Sequence, residues 1–205
     1  IILMIKNIVI ILLLVFICWL FLKLNYKNLN ESFAGSSQSH KKLNNTLIKI
    51  SNDLNEYKIK DWFISYGTLL GIIRNNNCID GDDDVDIIIS KDESYKLHDL
   101  IKEKGYKYDI IKKNTMKFDN FTRILLSDDL APVDFYIATK ENNNFNETWE
   151  KVIWSNVFPV IKKKWKNNCI LNLPNNYEIK LEGRYGKNWK VPKQWKGPKP
   201  AKKVI

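Results

Sequence analysis

Hydrophobic positions along the chain change period several times. The first block is an unbroken apolar run from Ile8 to Leu22, extended by Ile1 to Ile5 with only Lys6 and Asn7 between. Together these reach the ~20 residues that cross a bilayer. In water such a stretch would need burial on every side, so the pattern predicts a transmembrane helix over residues 1–24. A cleaved signal peptide is the rival. Ser32-Phe33-Ala34 has a small-x-small outline, but it lies past the apolar core, with Lys23, Lys27 and Glu31 between. Lys6 stands on one side of the run and Lys23 and Lys27 on the other, so charge alone does not choose an orientation. Residues 25–42, with Gly35-Ser36-Ser37-Gln38-Ser39, read as a flexible stalk.

Beyond residue 42 the pattern becomes that of a folded domain, spanning 43–192. Leu43, Leu47, Ile50, Leu54 and Tyr57 are spaced by three and four, which predicts a helix over Leu43–Lys58. Trp62 to Tyr66 reads as a short strand, and a helix is expected from Leu69 to Arg74. Val85 to Ile89 is rich in β-branched residues and predicts a buried strand. Ser94 to Lys104 is helical in pattern and stops at Gly105. Tyr106–Ile111, Phe121–Leu126 and Val133–Ala138 read as strands. Glu141–Asn146 reads as a polar loop, Trp154–Lys166 is aromatic and basic, and Pro174–Tyr185 reads as a loop followed by a helix. Residues 193–205 form a basic, proline-rich tail. Interleaved strands and helices predict an α+β fold, a mixed sheet with flanking helices.

Composition changes this picture little. The formal charge is +10, but the lysines are dispersed, with a short run at Lys162-Lys163-Lys164 and another at Lys202-Lys203. That reads as a solvated basic surface. No helix-turn-helix, zinc-finger or RNA-recognition signature accompanies it, so no nucleic-acid partner is expected. The cysteines are Cys18, Cys78 and Cys169; no Cys-x-x-Cys occurs, so no structural zinc is predicted. Cys78 and Cys169 could pair in an oxidising compartment, which the sequence leaves open.

The chemistry is concentrated around Asp80. Asp80, Asp82, Asp83, Asp84 and Asp86 place five aspartates within seven positions. Such crowding is costly unless a cation or solvent offsets the repulsion. Alternate residues of a strand share a face, so Asp82, Asp84 and Asp86 can project together at about 7 Å steps. An all-oxygen set suits Mg²⁺ or Mn²⁺. An EF-hand is excluded, because Val85 or Ile87 falls where that loop needs glycine. Gly67-Thr68, between a strand and a helix, can offer backbone N–H groups to a phosphate. Asp134, inside Val133-Asp134-Phe135-Tyr136, must be a ligand or be paired, since unpaired burial is costly. The reading is a third carboxylate facing Asp84 and Asp86, with a strand-end salt bridge as the alternative.

Tyr66-Gly67-Thr68-Leu69-Leu70-Gly71-Ile72-Ile73-Arg74, then Ile79-Asp80-Gly81-Asp82-Asp83-Asp84-Val85-Asp86, then the Asp134 strand, resembles the LicD family. That family includes bacterial phosphocholine transferases, fukutin and fukutin-related proteins. Val157-Phe158-Pro159, Leu173-Pro174 and Leu181-Glu182-Gly183-Arg184-Tyr185-Gly186 with Trp189 and Pro192 are similar to its C-terminal signature. Asp80-Gly81 departs from the family by replacing Pro-Trp, and Gly183 stands where another residue is more usual.

The resemblance implies a nucleotidyltransferase-like fold and transfer of phosphocholine, ribitol phosphate or a similar group. The donor would be CDP-linked and the acceptor a glycan hydroxyl. It implies Asp84, Asp86 and Asp134 as catalytic residues, with Asp84, Asp86, Asp82 and Asp134 as metal ligands. Gly67 and Thr68 would meet the donor phosphate. Arg74 and Arg184 are candidate anion partners, with surface or capping roles as alternatives. With the apolar segment, it implies a single-pass type II membrane protein, its catalytic domain in the ER or Golgi lumen if the source is eukaryotic. A glycosyltransferase with an Asp-x-Asp site and a non-catalytic glycan-binding relative remain the competing readings.

Overall fold

The computed structural model describes Phe16, residues 36–109 and residues 120–192. The predicted transmembrane segment lies outside the described residues apart from Phe16, as do Ile110, Ile111 and the tail 193–205. Among the described residues, no helix is long and apolar enough to cross a membrane. The chain divides into two compact units, Ile1–Ser36 and Ser37–Ile205, and the second contains the sheet and the acidic run.

That unit begins inside the segment read as a stalk, for a local reason. The Ser39 hydroxyl accepts from the Lys42 N–H and caps helix α1 (His40–Glu56). Gln38 exchanges backbone hydrogen bonds with Gly81 and Asp82. Gly81 has φ +87, a conformation that tryptophan, the usual residue in the family pattern, adopts only at a cost. The acidic loop is therefore tied to the chain entering α1. Leu43, Leu47, Ile50 and Leu54 are buried at the predicted spacing.

Strand β1 (Trp62–Ile64) leads into helix α2 (Tyr66–Asn75), and β2 (Val85–Ser90) follows. A single 3₁₀ turn, Lys91–Glu93, opens helix α3 (Ser94–Lys104), which ends on Gly105 at φ +67. Then come β3 (Lys107–Asp109), β4 (Phe121–Leu125), β5 (Val133–Glu141), β6 (Asn144–Glu147) and β7 (Val152–Trp154). A separate hairpin of β8 (Ile161–Lys164) and β9 (Ile170–Leu173) precedes helix α4 (Tyr177–Tyr185).

The main sheet is mixed, in the order β1-β2-β5-β4-β3, with β6 and β7 extending it from the far half of β5. Only the β2–β5 pair is parallel among the described strands. Every residue of β2 is buried, as its β-branched run predicts for a central strand. α1 packs against β2, α3 and β9, and α2 packs against β2.

The structure also corrects one loop assignment and resolves the cysteine pairing. Glu141–Asn146 is not a loop but the β5–β6 hairpin, in which Glu141 pairs with Asn144 and Asn142 turns the chain at φ +54. Asparagine tolerates that region, so a polar stretch forms a tight turn rather than a long connection. Cys78 and Cys169 are both free and buried. Cys78 N–H donates to the Asn44 side chain, whereas Cys169 Sγ lies 3.9 Å from Ile48 O, a turn farther along α1.

Candidate active site

The in-register β2–β5 pair sets Asp86 beside Asp134, and the β4–β5 pair sets Arg123 beside Asp134. These side chains share one sheet face, at the end where β2 and β5 begin. Asp84 precedes β2 by one residue. Asp84, Asp86 and Asp134 are buried, while Asp82 and Asp83 are half-buried in the loop above. Chain-distant acids thus meet at one strand edge.

Arg123 lies among them. Its Nε donates to Asp134 Oδ1 at 2.5 Å, and its Nη2 donates to Asp134 Oδ2 at 2.6 Å and to Asp84 Oδ2 at 2.7 Å. Both Asp134 oxygens are therefore engaged by one guanidinium, which is the salt-bridge alternative rather than the free third ligand. A charged residue within the apolar strand Phe121–Leu125 is the signal that sequence reading passes over. The reasoning that singles out Asp134 applies equally to Arg123.

Asp86 is anchored differently. Its Oδ2 accepts from Gly67 N–H at 3.0 Å and Thr68 N–H at 3.4 Å, and its own N–H donates to Thr68 Oγ1 at 2.8 Å. Ser65, the N-cap of α2, makes no side-chain cap bond, so Asp86 supplies the anion to that helix end. The sequence reading offers Gly67 and Thr68 to a donor phosphate; the structure gives their N–H groups to Asp86, and Thr68 is buried. The cause is that α2 begins at Tyr66, not Leu69, placing both residues in its first turn against β2.

Gly67 leaves room for two carboxylates. A Cβ there would lie 2.5 Å from Asp82 Oδ2 and 3.4 Å from Asp86 Oδ2. Both carboxylates therefore crowd the same point above the Gly67 backbone. Tyr66 just before it has φ +41 and is over-determined by its neighbours. Its hydroxyl donates to buried Glu147 at 3.1 Å, and its ring meets Tyr136 at 4.8 Å and Trp154 at 5.4 Å.

The two arginines flank α2 differently. Arg184 stacks on the Tyr66 ring at 4.1 Å and pairs with Glu150 at 2.7 Å. Arg74 sits in the last turn of α2, about 10 Å along the axis from Gly67, with Nε buried and without a hydrogen-bond partner.

Electrostatics mark the cluster as short of positive charge. Burial, then repulsion from Asp83, pushes Asp82 up to about 6. Burial, then Asp86 and Asp134, raises Asp84, even though Arg123 pulls it down. Burial, then Asp82 and Asp134, raises Asp86 well above the carboxylate range. Asp134 is also raised by burial, against the pull of Arg123.

A divalent cation fits this set. Asp82, Asp83 and Asp84 each offer an oxygen within 4.8 Å of the others'. This tight group differs from the predicted one by including Asp83 and leaving Asp86 and Asp134 outside. The two groupings share Asp82 and Asp84, and Asp86 adjoins through its shared approach with Asp82 to Gly67. Asp83 escapes the sequence reading because a strand's alternation is carried into what is a loop.

The fold resembles nucleotidyltransferase structures. The lincosamide antibiotic adenylyltransferase LnuA, lincomycin-bound, is 12% identical with a TM-score of 0.52, over 71% of this chain and 95% of that one. ANT(2")-Ia in complex with adenylyl-2"-tobramycin is 13% identical with a TM-score of 0.44, over 71% and 76%. No curated protein matches the chain in sequence. The LicD/FKTN/FKRP nucleotidyltransferase domain matches residues 60–195, which include every acidic residue of the cluster, and the chain belongs to that family.

Proposed function

We propose that the protein is a divalent-cation-dependent phosphotransferase. It moves a phosphorylated small group, such as phosphocholine or ribitol phosphate, from a CDP-linked donor to a glycan hydroxyl. The observation that carries this reading is the buried acidic cluster on adjacent strands, raised in pKa despite Arg123. Strand register fixes Asp86 beside Asp134, Arg123 ties Asp84 to Asp134, and such a charge-deficient carboxylate set suits a cation bearing a diphosphate.

Asp82, Asp83, Asp84 and Asp86 would hold Mg²⁺ or Mn²⁺. When bound, the ion supplies Lewis-acid polarisation of the donor phosphate. The chain's own groups do the rest. Gly67 and Thr68 N–H groups fix Asp86, and Arg123 holds Asp84 and Asp134 in place. Arg123 also brings positive charge to where phosphoryl oxygens gain negative charge. The acceptor oxygen attacks phosphorus, the bond from phosphorus to the CMP oxygen breaks, and CMP leaves. The acceptor proton passes to a carboxylate of raised pKa, for which Asp134 is the candidate. The apolar segment 1–24 would tether this domain to a membrane, with the catalytic unit lumenal in a eukaryotic cell.

The test is a donor screen with the full chain and Mg²⁺ or Mn²⁺, reading released nucleotide. CMP release from CDP-linked alditols or CDP-choline, abolished by EDTA, is the expected result. Release of UDP or GDP from nucleotide sugars alone would point to the glycosyltransferase class instead. Turnover in EDTA would remove the cation from the mechanism.

A further inference from the structure

Trp149 is 40% exposed, whereas the rings behind it are buried. It lies in the turn joining β6 to β7. Its ring stacks on Phe121 at 4.7 Å and 24°. Phe121 meets Tyr136 edge-on at 5.2 Å, and the Tyr136 hydroxyl donates to Asp86 Oδ1 at 3.3 Å. An unbroken aromatic path therefore leads from the acidic cluster to solvent.

The turn that carries Trp149 is held firmly. The Glu147 carboxylate, itself buried, accepts a short bond from Trp149 N–H and further bonds from Glu150 N–H at 3.0 and 3.2 Å. Glu150 pairs with Arg184 at 2.7 Å, and the Thr148 hydroxyl donates to the Asn120 side chain at 2.7 Å. Keeping a large apolar ring in water forgoes the free energy that its burial would release. Anchoring it there, two ring contacts from a reaction centre, is the construction of a binding site whose side chains are preset.

We propose that the exposed face of Trp149 is the platform on which the acceptor sugar ring stacks. The C–H groups on one face of a pyranose carry partial positive charge and meet the negative face of indole. Thr148 and Asn120 beside it are neutral hydroxyl and amide groups, suited to sugar hydroxyls. The donor's diphosphate belongs with the cation at the aspartates, and beside Trp149 the Arg184 charge is already taken up by Glu150. The identity of this ring as the acceptor rests on the transferase reading.

The test uses the full chain and its Trp149→Ala and Trp149→Phe variants on two probes. One is a printed array of neutral oligosaccharides. The other is CMP with Mg²⁺ by calorimetry. Trp149→Ala should weaken glycan retention about tenfold, as loss of one aromatic contact would. It should leave CMP affinity unchanged and lower the melting temperature by no more than the loss of the Phe121 stack would, and Trp149→Phe should restore most glycan binding. Loss of CMP affinity would make Trp149 a nucleobase platform and overturn the proposal. So would equal glycan retention by Trp149→Ala, or no glycan retained by the wild-type chain. Trp149-dependent glycan binding without CMP release from any CDP donor would support the platform and count against the transferase reading alone.

Discussion

Asp86 and Asp134 stand side by side in register on the parallel strands β2 and β5, two acids that the fold brings together across 48 positions of sequence. Both are buried, and the charge of Asp134 adds to the burial that raises Asp86's affinity for a proton. That burial cost falls on the charged form, and asparagine keeps the shape and an acceptor oxygen for the Gly67 and Thr68 N–H groups without the charge. Asp86→Asn should shift the cation-free melting temperature by no more than ~4 °C, the effect of about 1 kcal/mol in a domain this size. It should lower CMP release by a factor on the order of 10³, because an amide binds a divalent ion poorly. A thermal melt and a turnover assay on one preparation decide the matter, and full activity in Asp86→Asn would remove it from the site.

Gly67 and Gly71 lie one turn apart on α2 and predict opposite failures. At Gly71 an added Cβ would meet Asn77 O at 2.5 Å, Ile79 N at 2.9 Å and Cys78 C at 3.1 Å, all backbone. Backbone cannot rotate away, so Gly71→Ala should cost about 1–3 kcal/mol or more. At Gly67 the close atoms belong to the side chains of Asp82 and Asp86, and Asp82 can turn aside. Gly67→Ala should keep most of its stability yet lose cation affinity and turnover. Denaturant midpoints set beside Mg²⁺ titrations separate the two. A Gly67→Ala protein with normal Mg²⁺ affinity would show that Asp82 takes no part in the site.

Much of this site is legible in the sequence, and the gaps have physical reasons. The β-branched run after Asp84 identifies a buried strand, and the isolated Asp134 identifies a second acid on a neighbouring one. Arg123 escapes notice because a strand read for period says nothing of what a buried charge must pair with. Gly67 and Thr68 are assigned to a phosphate because α2 starts three residues earlier than its apolar pattern suggests. Asp86, nineteen positions downstream of Gly67, caps that helix, and no local sequence signal announces a cap from another strand. The hairpin at 141–146 is hidden for the converse reason, since an Asn-Asn turn and polar flanks look like an unstructured loop.

Arg123 joins Asp84 and Asp134, and its removal tests how that charge balance is set. Breaking a buried pair by deleting one partner typically costs ~3–5 kcal/mol. Here the acids can escape part of that cost by taking up protons, which is easier at low pH. Both carry raised pKa values, so their stabilising share is full in acid and fades as pH rises through the folded values. Arg123→Gln should therefore lower the melting temperature more at pH 8 than at pH 5, and Arg123→Lys should recover part of the loss. Equal losses at the two pH values would mean that packing, not charge, explains the effect.

Asp82 turns the same reasoning on the cation itself. Burial and Asp83 move it from 3.8 to about 6, so the folded, cation-free protein keeps a proton near pH 5 that the unfolded chain has released. That proton favours folding in acid, and the benefit declines as pH climbs through 6. A divalent ion needs the charged carboxylate, so binding at pH 6 must expel protons, and affinity must rise from pH 5.5 to pH 8. Calorimetric titration with Mg²⁺ at pH 6, in two buffers of different ionisation enthalpy, should give heats that differ in proportion to the protons released. Identical heats would show that the ion binds where no carboxylate holds a proton, away from Asp82 and its neighbours. The same ion should raise the melting temperature more at pH 8 than at pH 5, because only at the higher pH does it meet an ionised cluster whose repulsion it can relieve.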